Sequence, residues 1–147
     1  MQRVQTKVNQ KGFTLLELLI AISLLAIGLL AVATMQTTAI NANVIANKNT
    51  SVASLAQEVM EDILSWNPDP TIEPSFSASS ANVTYDLDPN TAGNSISLSS
   101  AGTYSAQYSI TRDPVISGAT VTQFVQIDVT VTGGNKTLNL TSYKRLL

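Results

Sequence analysis

The chain of 147 residues has room for one ordinary domain, and its net charge of −2 supplies no basic field for a nucleic-acid backbone. About 44% apolar and 12% charged residues exclude a disordered polymer and point to apolar sequence outside a water-soluble core. With no Cys and no His, disulfide scaffolds, thiol chemistry, Ser-His-Asp catalysis and the common zinc sites are excluded as well.

Residues 1–12 carry Arg3, Lys7 and Lys11 and no acid. From Phe13 to Met35 the chain is apolar with a single charge, Glu17. A helix needs about 20 apolar residues to cross a bilayer, so this stretch is expected to span one. The basic flank then sets a cytoplasmic N-terminus, with the remainder on the far side. Arg3, Lys7 and Lys11 read as topology determinants. A secretory signal would have a shorter core and a small-residue break, and neither is present here.

Neither Pro nor Gly occurs between Gly28 and Trp66. Val52, Leu55, Ala56, Val59, Met60 and Ile63 fall on one helical face. The spacing predicts a continuous helix over 13–65, apolar all round in its first half and amphipathic in its second. Glu58, Glu61 and Asp62 read as its solvated side. Asn67-Pro68-Asp69-Pro70 ends it, because Pro lacks the N–H and restricts the residue before it. Trp66 is expected to anchor the helix end against the C-terminal half of the chain.

After Pro70 the period changes to two. Val83, Tyr85 and Leu87 alternate with polar residues. So do Tyr104, Ala106, Tyr108 and Ile110, then Val125 to Val131, then Leu138 and Leu140. These predict half-buried antiparallel strands in a domain over 70–147. Gly133-Gly134-Asn135-Lys136 predicts a hairpin joining the last two. Residues 88–103 read as a loop with a short strand at Ile96–Leu98. This β part holds only about 78 residues, where a core alone is marginal. Its sheet is therefore expected to pack on Leu55, Val59 and Ile63.

Lys11-Gly12-Phe13-Thr14-Leu15-Leu16-Glu17 is the informative stretch. An acid at the start of an apolar span is expensive and needs a partner. With the basic leader before it and the apolar helix after it, this stretch resembles the type IV prepilins. The resemblance is close over about residues 1–65 and extends to the tail only in plan. It implies an α+β fold of the type IV pilin kind, a long N-terminal helix packed on a small antiparallel sheet. It also implies cleavage between Gly12 and Phe13 by a membrane prepilin peptidase, with N-methylation of Phe13. Glu17 would pair with the terminal amine of a neighbouring subunit. The implied partners are the peptidase, other pilin or pseudopilin subunits through the helix, the inner-membrane assembly machinery and the lipid bilayer. The subunit would wait in the bacterial inner membrane with its C-terminal domain in the periplasm, then pass into a pilus or pseudopilus. The apolar segment lacks the helix-breaking Pro of major pilins, and the tail lacks their Cys pair. It is more similar to minor pilins that modify or initiate the pilus. Type II secretion minor pseudopilins share these features and remain the alternative.

No nucleophile–base pair, metal cluster or phosphate loop is legible, so no enzyme and no cofactor are expected. Asp86-Leu87-Asp88-Pro89-Asn90 fails the EF-hand spacing and reads as solvated strand-end acids. Asn49, Asn82, Asn135 and Asn139 stand in Asn-x-Ser/Thr triplets that a Thr-rich chain produces by chance. A membrane-anchored binding module that never polymerises is the third reading.

Overall fold

The computed structural model describes residues 12–99 and 101–147. Two compact units are present, residues 1–41 and 42–147. Helix α1, Leu15–Ser65, runs through 51 residues and contributes to both. In the first unit it is an exposed apolar helix. In the second it is one layer of a two-layer α/β sandwich. The architecture is thus α+β, as the resemblance implies. The helix starts two residues later than periodicity places it, because Phe13 and Thr14 lie outside it.

Among the described residues seven strands come after the helix. They are β1 Ser80–Tyr85, β2 Ser95–Leu98, β3 Gly102–Arg112, β4 Val115–Ile116, β5 Ala119–Thr120, β6 Phe124–Gly133 and β7 Lys136–Arg145. The main sheet is antiparallel in the order β1-β3-β6-β7, with β2 paired to β3 beyond the end of β1. β4 and β5 form a separate ribbon. Alternation explains the sheet. Tyr104, Ala106 and Ile110 on β3 and Val125, Ile127, Val129 and Val131 on β6 are all buried. Their polar neighbours face solvent on the other side. The helix supplies Val52, Leu55, Ala56, Val59, Met60 and Ile63 to the same cluster. Leu138 and Leu140 pack against it half-buried. Leu55, Val59 and Ile63 therefore sit where the period of 3.6 puts them.

The β6–β7 hairpin closes through Gly134 and Asn135, with φ of 57° and 63°. Two successive positive values make a type I′ turn, whose twist matches the flanking strands. Gly133 is required for a different reason. A Cβ there would lie 2.2 Å from Tyr104 Cδ1, so the fully buried Tyr104 ring occupies the space a side chain would need.

The helix end is tied down by side chains from far along the chain. Trp66 meets Tyr108 edge-on at 5.6 Å and Phe76 at 6.1 Å. Phe76 belongs to a 3-10 turn, Pro74–Phe76, and is completely buried. Lys144 of β7 donates to the Leu64 carbonyl at 2.6 Å and to the Trp66 carbonyl, with its ammonium over the Phe76 ring. The last turn of α1 has no basic residue of its own. Lys144 satisfies its orphan carbonyls and complements the negative end of the helix dipole.

Asp62 lies on the solvated side with Glu58 and Glu61, and makes tertiary contacts there as well. It is exposed, yet it accepts from the Tyr85 hydroxyl at 2.8 Å and from Trp66 Nε1 at 3.2 Å. Asp86 and Asp88 close successive turns, accepting from the amides of Asp88 and Asn90. Burial, followed by the hydrogen bond to Asp62 and the nearby carboxylates, pushes the Tyr85 phenol from 10.0 up to about 12. The folded value lies above the unfolded one. The stability this group contributes is therefore complete below pH 10 and is lost as pH rises from about 10 to 12. Tyr85→Phe should flatten the fall in thermal midpoint across that window. An unchanged slope would mean that Tyr85 ionises as it does in the unfolded chain.

Candidate functional site

Gly12, Phe13 and Thr14 are non-helical and exposed. Phe13 is 87% accessible. Gly12 is not demanded by the chain itself, since a Cβ there would meet nothing within 4 Å. A need for glycine at this position would come from a partner that must approach the backbone closely.

Thr14 caps helix α1. Its hydroxyl accepts from the Glu17 amide at 3.2 Å. Glu17 Oε2 accepts from the Thr14 amide at 3.4 Å and from its hydroxyl at 3.5 Å. This reciprocal pair is a capping box, with two orphan donors of the first turn satisfied. Sequence reasoning missed it, although Thr-x-x-Glu ahead of an apolar run is its signature. Glu17 is thus partnered within its own chain, close to the positive end of the helix dipole. Among the described residues the one ion pair is Arg112–Asp113, so the Glu17 carboxylate has hydrogen bonds but no cation.

The helix beyond is built for apolar surroundings. Every large apolar side chain from Leu15 to Val32 is more than half exposed. The stretch is long and apolar enough to cross a membrane, and none of its most apolar window is buried by the protein. Its hydroxyls are internally satisfied. Ser23 donates to the Leu19 carbonyl at 2.8 Å, Thr34 to Ala31 at 2.7 Å, and Thr37 and Thr38 to Thr34. Back-bonding of this kind leaves no hydroxyl proton stranded where water is absent.

The structure brings Phe13, Thr14 and Glu17 together at the helix start. Leu55, Val59 and Ile63 serve the core of the second unit. Arg3, Lys7 and Lys11 lie outside the described residues. Comparison with curated proteins and with solved structures finds no match. Residues 7–33 match the family model described as the prokaryotic N-terminal methylation motif. That span contains Gly12, Phe13 and Glu17 and most of the exposed apolar helix, so the N-terminal segment of this chain carries a prokaryotic N-terminal methylation motif.

Proposed function

We propose that the chain is a minor type IV pilin, a structural subunit processed by prepilin peptidase that helps to initiate, assemble or modify a pilus. Cleavage falls between Gly12 and Phe13, and Phe13 is then N-methylated. The mature subunit is held in the inner membrane by the first half of α1, with its sheet domain in the periplasm. It passes into the filament by exchanging lipid for the helices of neighbouring subunits.

The observation that carries this reading is the methylation motif at residues 7–33, which runs into a helix whose most apolar window is buried by none of the described residues. A plain anchor would use the same apolar length. It would have no use for a leader cut at the helix start or for an acid held in the first turn. The lack of a Pro in the apolar segment and of any Cys in the tail supports a minor rather than a major subunit, on resemblance.

Immunoblotting of sheared surface filaments and washed membranes tests polymerisation. The mature chain is expected in both fractions, as a small share of the sheared material beside an abundant pilin. Recovery from membranes alone, in cells bearing intact filaments, would make it a non-polymerising anchor.

A further inference from the structure

β3, β6 and β7 turn alternate residues away from the core they share with α1. From Thr103 to Thr111, from Gln126 to Thr132 and from Thr137 to Thr141, every side chain on that outer face is a hydroxyl or an amide, except Asp128. One end of the face differs. Phe124 pairs with Arg145 and Gln126 with Tyr143, so Phe124 and Tyr143 are diagonal neighbours. Tyr143 is 48% exposed and Phe124 is half-buried, and neither is part of the core cluster or packs against it. Rings so placed add nothing to the core of the domain. Beside them the Asp128 carboxylate is fixed from both sides. Its Oδ1 accepts from the Thr141 hydroxyl at 2.6 Å and its Oδ2 from Gln126 Nε2 at 2.8 Å. Each carboxylate oxygen keeps a second lone pair for an outside donor. Gln126 adds an amide carbonyl, and the exposed Arg145 adds guanidinium donors.

Asp128 and Arg145 balance, and no third charge stands on the outer face of these three strands. A protein partner would be held by a wider apolar centre, and an anionic polymer by a basic field. This face has neither. Its chemistry matches an uncharged sugar, whose C–H face lies on an aromatic ring while its hydroxyls donate to a carboxylate or amide oxygen and accept from a guanidinium. Hydrogen bonds to the ionised Asp128 and Arg145 are the strong ones in that set. We infer that the outer sheet face at Phe124 and Tyr143 binds an uncharged polysaccharide, laid across β6 and β7 with a pyranose ring on Tyr143 and hydroxyls on Asp128 and Gln126.

The site belongs to the second unit alone, so it goes beyond the pilin reading and does not require polymerisation. Co-sedimentation of the full-length chain, held in lipid nanodiscs, with insoluble cellulose, chitin and mannan tests it, with empty nanodiscs as the blank. Wild type should be retained above the blank on at least one of the three. Because the ligand is uncharged, that retention should be equal at about 50 and about 500 mM salt. Tyr143→Ala should lower it at least five-fold and Asp128→Asn about three-fold, each with the thermal midpoint of wild type. Tyr143→Phe keeps the ring and should bind as wild type. So should Lys136→Ala, because Lys136 lies on the other side of β7, in a cleft with Asn49 and Val52 of α1. No retention on any of the three polysaccharides, retention lost in high salt, or equal retention of wild type and Tyr143→Ala would overturn the inference.

Discussion

Val129→Asp should unfold the sheet domain while leaving the protein in the membrane. Val129 is completely buried at the middle of β6, in register with Tyr108 on one side and Leu140 on the other. Its side chain points into the cluster shared with Leu55, Val59 and Ile63. No buried polar or charged side chain lies among the described residues, so an aspartate would find no cation and no spare donor. An unpaired buried charge of this kind costs more than about 4 kcal/mol, against about 5–15 kcal/mol for a whole domain. Asn139→Asp, on the exposed face of β7, should change stability by no more than about 0.5 kcal/mol. Limited proteolysis of full-length protein in membranes reads the difference. Rapid digestion back to the membrane-embedded helix is expected for Val129→Asp alone. Equal resistance of both variants would mean that the helix and sheet do not share a core.

Glu17 is the second position with a large expected effect, and the capping box changes how its variants are read. Glu17→Leu removes both the charge and the reciprocal bond to Thr14. Glu17→Gln keeps a side chain able to complete the box and removes only the charge. A helix cap is worth about 1 kcal/mol. An amine–carboxylate pair about 4 Å apart near a protein surface is worth about 4 kcal/mol. If Glu17 pairs with a neighbour's new N-terminus, charge dominates. Both variants should then be cleaved and membrane-bound, with a filament-to-membrane ratio at least about ten-fold below wild type. Glu17→Asp should be intermediate, since the shorter arm reaches less far. If the acid only starts the helix, Glu17→Gln should match wild type while Glu17→Leu fails.

The parts of the fold that depend on period are legible in the amino-acid sequence. Helix α1 is readable because no Pro or Gly interrupts residues 29–65, and its buried face because Val52 to Ile63 recur every three or four residues. The β6–β7 hairpin is readable because Gly134 and Asn135 are residues that tolerate positive φ. The hidden parts depend on contacts between distant segments. Lys144 reaches a carbonyl 80 residues away, and nothing local marks it as a helix cap. Phe76 lies in a short Pro- and Ser-rich stretch with no period, yet it is fully buried beneath Trp66. The β4–β5 ribbon is two residues on each side, too short to alternate. At the candidate site Gly12, Phe13 and Glu17 stand out by residue type. Thr14 does not, because the isolated charge on Glu17 directs attention to a neighbouring chain rather than three residues back.

A processed, filament-forming subunit differs from a simple anchor first of all in its N-terminus. Peptide mass spectrometry of the protein from membranes and sheared filaments tests that difference most directly. Cleavage at Gly12–Phe13 removes three cations and takes the side-chain net charge from −2 to about −5. The N-terminal peptide should begin at Phe13, with a methyl group on its amine, in both fractions. A chain that still begins at Met1 in cells whose other pilins are mature would contradict the processed-subunit reading outright.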